Sequence, residues 1–278
     1  MSNFKVTASR NFANGSVYAL RTEDDYPIET TDTFLPMITR DAEARGTNEL
    51  VLANFGSRKD RWMIGVSVMS GCPVRCPFCA TGALKKWRNL TAEEILAQVD
   101  FIVEKNQDRF KPTDAEEFRI LFTRMGEPVM NKDEVLKAIK LIKNKYPHAT
   151  VALSTAGPKV GTKEFFEEVK KIVEEYQDDF IQFQFSVHST DDKQRDFLQP
   201  VKKYQLAELK EFADEWKKVS ERKVTLNFTL CDDNEFDAEK IEKYFLADSI
   251  FIKLSPLNEN NISTKNHLSG VITAKNLA

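Results

Sequence analysis

The chain has 278 residues, of which 41% are hydrophobic and 30% charged, with 20 Phe, 3 Trp and 6 Tyr. That is enough apolar material for one large domain or two small ones, and it excludes a disordered chain. Lys and Arg number 40 against 43 Asp and Glu, a net charge of −3, so any grip on nucleic acid has to rest on a local basic patch.

Residues 1–60 come first and differ from the rest. MSNFKVTASRNF has no apolar signal core and no small-residue cleavage site, and no apolar run approaches the roughly 18 residues of a membrane helix. The expected location is therefore cytoplasmic, with no membrane partner. SVYALRTEDDYPIETTDTF holds a strand, an acidic turn and a second strand, which predicts a β-hairpin extension over 1–60. From residue 61 short β-branched and aromatic runs recur at 61–70, 117–126, 149–157, 180–189, 223–233 and 250–258. Between them lie segments with helical spacing: TAEEILAQVDFIVEKN, KDEVLKAIKLIKNK, KEFFEEVKKIVEEY, QLAELKEFADEWKK and DAEKIEKYFLA.

Six strand–helix alternations imply parallel strands with right-handed crossovers. Six units fall short of the eight that close a barrel. The predicted fold is thus α/β, a partial, open (β/α)6 barrel over 61–262, with the β extension before it and a tail at 263–278. Ligands of such sheets bind at the C-terminal ends of the strands, and each motif below falls there.

Four cysteines make no disulfide framework. Cys72, Cys76 and Cys79 lie in SGCPVRCPFCATG with the spacing C-x3-C-x2-C, and Pro73 and Pro77 stiffen the loop. Clustered thiols in a chain without export features point to a soft metal or a cluster. A structural zinc site asks for four ligands in paired spacing, and no fourth Cys or His lies near. Three thiolates suit a [4Fe–4S] cluster with one iron left open. A three-thiol zinc site with an exogenous ligand, or buried structural cysteines, are the alternatives.

The loop resembles that of the radical S-adenosylmethionine (SAM) superfamily. The resemblance implies a [4Fe–4S] cluster whose open iron binds SAM, an external flavodoxin- or ferredoxin-like electron donor, and reductive cleavage of SAM to a 5′-deoxyadenosyl radical. CATGALKKWRNLTAEEILAQV, TRMGEPVMNKDEV, VALSTAG, SVHSTDDKQRDFLQPVKKY and LSPLN are similar to successive motifs of the RlmN/Cfr family, which methylates RNA adenine at carbon 2 or carbon 8. The match runs in order from about residue 15 to 262.

Carried over by this resemblance, Gly126, Glu127 and Pro128 would face the SAM amino group. Ser154, Ser186 and His188 would line its ribose and carboxylate, and Asn258 its adenosyl end. Phe78 would shield the cluster or the adenine. Without the resemblance these residues read as a strand-to-loop turn, a helix cap, a structural histidine and core. Arg195 and Pro200 also match family positions, although Arg195 has Asp191 and Asp192 at hand as ion-pair partners. Lys85, Lys86, Arg88, Lys202 and Lys203 offer a basic mouth, or simply a solvated one.

The family's methyl transfer needs two cysteines beyond the cluster ligands, one carrying the methyl near the C-terminus and one resolving the protein–RNA link. Gly65 stands in the resolving position, and ISTKNHLSGVITAKNLA contains no thiol. The helical module with which family members hold RNA is not found in residues 1–60. Cys231, at the end of the fifth barrel strand, is the remaining catalytic candidate, or a small buried hydrophobe.

The expectation is a radical SAM enzyme, RlmN/Cfr-like, that abstracts hydrogen from an unidentified substrate without the two-cysteine route. The alternative is an RNA adenine methyltransferase using Cys231 or a partner thiol. A non-catalytic protein retaining the cluster as a sensor is a third reading, which the SAM motifs disfavour.

Overall fold

The computed structural model describes residues 4–35 and 56–271. Its backbone is organised around a nine-stranded sheet. The first three strands, β1 (Lys5–Phe12), β2 (Gly15–Arg21) and β3 (Pro27–Leu35), form an antiparallel meander. β3 pairs antiparallel with β4 (Arg61–Gly65). Beyond it, β5 (Met69–Ser70) and β6 (Arg88–Asn89) make a separate two-stranded ribbon.

Strand and helix then alternate: α1 (Ala92–Asn106), β7 (Glu117–Phe122), α2 (Lys132–Lys145), β8 (Thr150–Thr155), α3 (Thr162–Tyr176) and β9 (Ile181–Ser186). After them come α4 (Asp192–Leu198), α5 (Leu209–Trp216), β10 (Val224–Thr229), α6 (Ala238–Tyr244), β11 (Ile250–Ser255) and α7 (Asn261–Lys265). β4, β7, β8, β9, β10 and β11 are neighbours in that order and all parallel. The described strands form an open array of six with a β meander on one edge, as the alternation predicts.

The two faces of this sheet differ because side chains alternate along a strand. Trp62, Ile64, Phe118, Ile120, Val151, Leu153, Phe183 and Phe185 point to one face and are buried. Helices cover that face: Ala92, Ile95, Val99 and Ile102 of α1, and Phe165, Phe166 and Val169 of α3, are buried as well. Each of the Val, Leu, Ile and Phe side chains among these contributes about 1.5–3 kcal/mol by leaving water. The intervening residues of β7 and β9 are part-buried and, apart from Leu121, polar, among them Arg119, Gln182 and Gln184. The inner face is therefore a polar concavity and not the packed interior of a closed barrel.

Three expectations are corrected in detail. The extension is a three-stranded meander, since β1 precedes the expected hairpin; KVTASRNF is exposed along its whole length and so has no buried face to leave an apolar pattern. The run 61–70 is two strands. Val66 and Val68 still donate to the Leu121 and Met125 carbonyls before the chain turns away into β5. The helix expected over 205–218 begins with a 3-10 turn at Leu206–Glu208, and α5 ends at Trp216. No helix among the described residues is long and apolar enough to cross a membrane.

Candidate active site

The base of the cysteine loop is stapled by polar side chains. Gln98 of α1 accepts from Ser67 N at 2.8 Å and donates to Ser67 O at 2.9 Å. Asn131 Nδ2 donates to the Val68 and Leu90 carbonyls, both at 2.8 Å, while Leu90 N donates to Val68 O. The chain thus leaves and re-enters the sheet at one fixed point. Thr91 caps α1 and Glu94 returns the bond, completing a capping box. Glu94 and Asp24 also hold Arg88, so Arg88 is committed to the fold.

Cys72, Cys76 and Cys79 are all free and part-exposed. Cys79 N donates to Cys76 O at 3.0 Å, closing a turn between the last two. Burial pushes the Cys72 thiol up to about 12, against the pull of backbone N–H groups of Val74 and Arg75, and Glu127 and Cys79 add repulsion. Cys76 is raised as well, by burial first and then by Cys79 and Cys72. The three sulfurs thus feel one another, and as bare thiolates they would repel. A cationic group bound to all three relieves that repulsion and displaces their protons.

No three His, Cys, Asp or Glu side chains among the described residues are placed to hold a single metal ion. A cube of four irons needs its thiolates further apart than one tetrahedral ion does. The donor set, three soft thiols in one loop with N–H groups directed at one of them, fits such a cluster.

Gly126 follows β7 with φ +105°, a conformation open to glycine. Glu127 is 4% exposed, and its carboxylate accepts from Val129 N, Thr155 Oγ1 and Ala156 N. It ties the end of β7 to the end of β8. Burial raises the Glu127 carboxyl, partly offset by these donors. Met130 N takes the Glu127 carbonyl, whereas no donor among the described residues reaches the Gly126 carbonyl. Pro128 is buried at the start of a 3-10 turn.

Ser154 and Ser186, at the ends of β8 and β9, lie 3.1 Å apart through their hydroxyls, and Gln184 donates to Ser154 Oγ at 2.7 Å. His188 is 5% exposed and left-handed, with φ +68°. Its Nδ1 accepts from Thr229 N at 3.1 Å, so the proton sits on Nε2. The ring packs edge-on against Phe78, with centroids 5.1 Å apart. Phe78 and His188 are therefore in contact although they belong to different strand–loop units.

Asn258 is exposed and its side chain joins none of these groups. Asn260, two residues on, does instead, donating to the Phe78 carbonyl at 3.0 Å. Cys231 is 2% exposed and bridges to Gly270. Burial and then Asp232 raise its thiol, which matches the small-hydrophobe reading. Arg195 is buried against Asp192 and the Tyr204 carbonyl, and Lys203 pairs with Asp196. Of the basic mouth, Lys85, Lys86 and Lys202 remain exposed, and Pro200 is exposed beside them. Gln98, Asn131, Asn260 and Asn266 had not been singled out. Gln98 left one signal, a polar residue on the apolar face of a helix.

Burial holds the His188 imidazole down at about 3, helped by the Arg195 charge. The unfolded chain takes up this proton near pH 6.5 and the folded one refuses it, so stability falls as pH drops from there toward 3. Between pH 7.5 and 5.5 the wild type should lose about 1.4 kcal/mol more than His188→Asn, which keeps an acceptor and tolerates the left-handed backbone. Urea unfolding at the two pH values checks this, and equal losses would refute it.

A groove of about 680 Å³ lies at the other, N-terminal end of the strands, lined by Asp178, Asp179, Arg222, Lys223 and Asp248 among others. That edge of such barrels serves stability.

The alternating parallel array, the three-cysteine loop after its first strand and the glycine turn after the next define the class. The chain belongs to the radical SAM superfamily, whose family model matches residues 66–245. Among its relatives, the probable dual-specificity RNA methyltransferase RlmN of Pseudothermotoga lettingae is 32% identical over 201 residues, covering 69% of this chain and 54% of that protein. The RlmN of Chlorobium phaeobacteroides is 27% identical over 271 residues, covering 94% and 71%. The chain spans about half the length of the first of these relatives. In fold it is similar to a radical SAM methyltransferase from Sphaerobacter thermophilus, with TM-score 0.73, 22% identity, and coverage of 100% of this chain and 72% of that one. The RlmN-like resemblance in the motifs is thus supported along the chain.

Proposed function

We propose that the chain is a radical SAM enzyme that abstracts hydrogen directly from its substrate and does not use a resolving thiol. The observation carrying this reading is Gly65. A Cβ there would lie 2.4 Å from Thr31 Oγ1 and 2.9 Å from Arg124 Cδ. Neighbouring side chains fill the position where the family keeps its resolving cysteine.

When bound, a [4Fe–4S] cluster supplies the electron that splits SAM into methionine and a 5′-deoxyadenosyl radical. Cys72, Cys76 and Cys79 hold it, and an external flavodoxin- or ferredoxin-like protein delivers the electron. The Gly126 carbonyl accepts from the SAM ammonium, because the Glu127 carboxylate already has its donors. Ser154 and Ser186 offer hydroxyls to the ribose and carboxylate. Neutral His188 offers Nε2–H, and Phe78 keeps water from that side. Asn258, exposed and apart from these groups, is left out of this set.

A second reading, RNA adenine methylation, is favoured by the relatives named RNA methyltransferases. Buried Cys231 speaks against it as the carrier. Reconstitution with iron, sulfide, SAM and reductant under anaerobic conditions should yield 5′-deoxyadenosine and methionine. Co-expressed RNA should carry no new methyladenine. A full cluster that leaves SAM intact removes the first claim, and methyladenine in the RNA replaces it with the second.

A further inference from the structure

We infer that Asn260 and Asn266, at the two ends of α7, are positioning residues that hold the cysteine loop in its cluster-binding shape. Asn260 Nδ2 donates to the Phe78 carbonyl at 3.0 Å. Asn266 Nδ2 donates to the Pro77 carbonyl at 2.8 Å. These carbonyls belong to Pro77 and Phe78, the two residues between Cys76 and Cys79. The inference rests on the reading of those cysteines as cluster ligands.

Each peptide group is planar and trans, so fixing a carbonyl fixes the N–H at its other end in the opposite direction. Drawing the Phe78 carbonyl to Asn260 turns the Cys79 N–H away from α7, where it meets Cys76 O at 3.0 Å. Drawing the Pro77 carbonyl to Asn266 turns the Phe78 N–H away as well, and that N–H has no acceptor among the described residues. Both carbonyl oxygens, the negative ends of their dipoles, are thereby neutralised by amide donors on the α7 side. Without the two donors this stretch can rotate its carbonyls toward the thiolates, which repels them.

The anchor itself is rigid. Asn260 Oδ1 caps α7 by accepting from Ile262 N and Ser263 N. Asn266 Nδ2 also donates to Ile262 O at 2.9 Å. Past the helix, Gly270 N donates to Glu259 Oε1 at 3.0 Å, Ser269 O accepts from Asp232 N at 3.0 Å, and Gly270 bridges Cys231. Residues 256–271 thus form a strap fixed to β11 at one end and to the end of β10 at the other, with the cysteine loop held between.

Asn260→Asp separates holding the loop from capping the helix. Aspartate caps as well as asparagine, but it has no N–H for the Phe78 carbonyl and sets two acceptors face to face. Asn266→Asp removes the second donor, and Asn266→Gln restores an amide. The wild type and each variant are loaded anaerobically with iron and sulfide. Cluster loss to an iron chelator is then timed by absorbance, and the metal-free chains are melted in parallel.

Loss should be about ten- to a hundredfold faster in both Asp variants, the usual cost of removing a partner behind a metal ligand. Asn266→Gln should be slower than Asn266→Asp, and all metal-free chains should melt together. Cluster retention equal to wild type in the Asp variants overturns the inference, and so does a parallel fall in metal-free melting temperature. A wild-type chain that takes up no cluster overturns the cluster assignment itself, a result distinct from the other two.

Discussion

Replacing any one of Cys72, Cys76 or Cys79 by serine leaves a folded chain that retains no [4Fe–4S] cluster and does not cleave SAM. A serine hydroxyl is neither soft nor ionised near neutral pH, so it cannot stand in for a thiolate on iron. The expected fall in 5′-deoxyadenosine formation exceeds about a hundredfold, the upper range for losing a mere supporting partner. Folding should survive because the thiols are part-exposed and outside the apolar core. Surface-like substitutions of this kind cost about 0.5 kcal/mol.

Cys231→Ser provides the contrast, since it buries a hydroxyl and costs about 1–3 kcal/mol without touching the loop. Iron and sulfide content, melting temperature and 5′-deoxyadenosine, measured on all four variants, give the outcome. A serine variant of the loop that still cleaves SAM would remove that residue from the ligand set. Equal loss of cleavage in Cys231→Ser would return that residue to the candidates.

Gly126→Ala should be the most destabilising conservative change near the site. At φ +105° an alanine is strained by about 1–2 kcal/mol. Its Cβ would also lie 2.6 Å from Met69 Cβ and Cγ and 2.8 Å from Met69 N. Met69 is fully buried, so it cannot swing into solvent, and overpacking adds about 1–3 kcal/mol. A total near 3 kcal/mol lowers the melting temperature by about 5 °C in a chain of this size. The turn must shift to relieve the clash, which pulls Glu127 off Thr155 and Ala156 and takes the Gly126 carbonyl with it. SAM affinity by calorimetry should fall together with the melting temperature. A variant that melts within about 2 °C of wild type would show that the turn can absorb a side chain, against the packing argument.

Much of the fold was legible because it rests on local periodicity. The buried positions of β7, β8 and β9 alternate with period two, and those of α1 and α3 recur every three or four residues, so burial leaves its period in the residues themselves. The capping box of Thr91 and Glu94 lies within four residues, so it too is written locally in the chain. The cysteine spacing was legible for the same reason: one loop supplies all three thiols. β1 was not, because a strand exposed on both faces writes no apolar pattern.

The sequence by itself therefore determined the alternating architecture, the three-thiol loop and the edge of the sheet where the motifs gather. Only the tertiary structure decided how individual polar groups are used. Asn260 reaches a carbonyl 182 positions away and Asn266 one 189 positions away. Arg88, open to reading as a phosphate contact, is held by Asp24 across 64 positions. The Glu127 carboxylate is taken up by Thr155 and Ala156 on the next strand. Gly65 leaves no room for a thiol because Thr31 and Arg124, from other strand–loop units, fill the space. Hydrogen bonds and steric exclusion act over a few ångströms in space, whatever the separation along the chain. Residue spacing therefore encodes periodic burial and short-loop chemistry, while the pairing of distant polar groups exists only once the chain has folded.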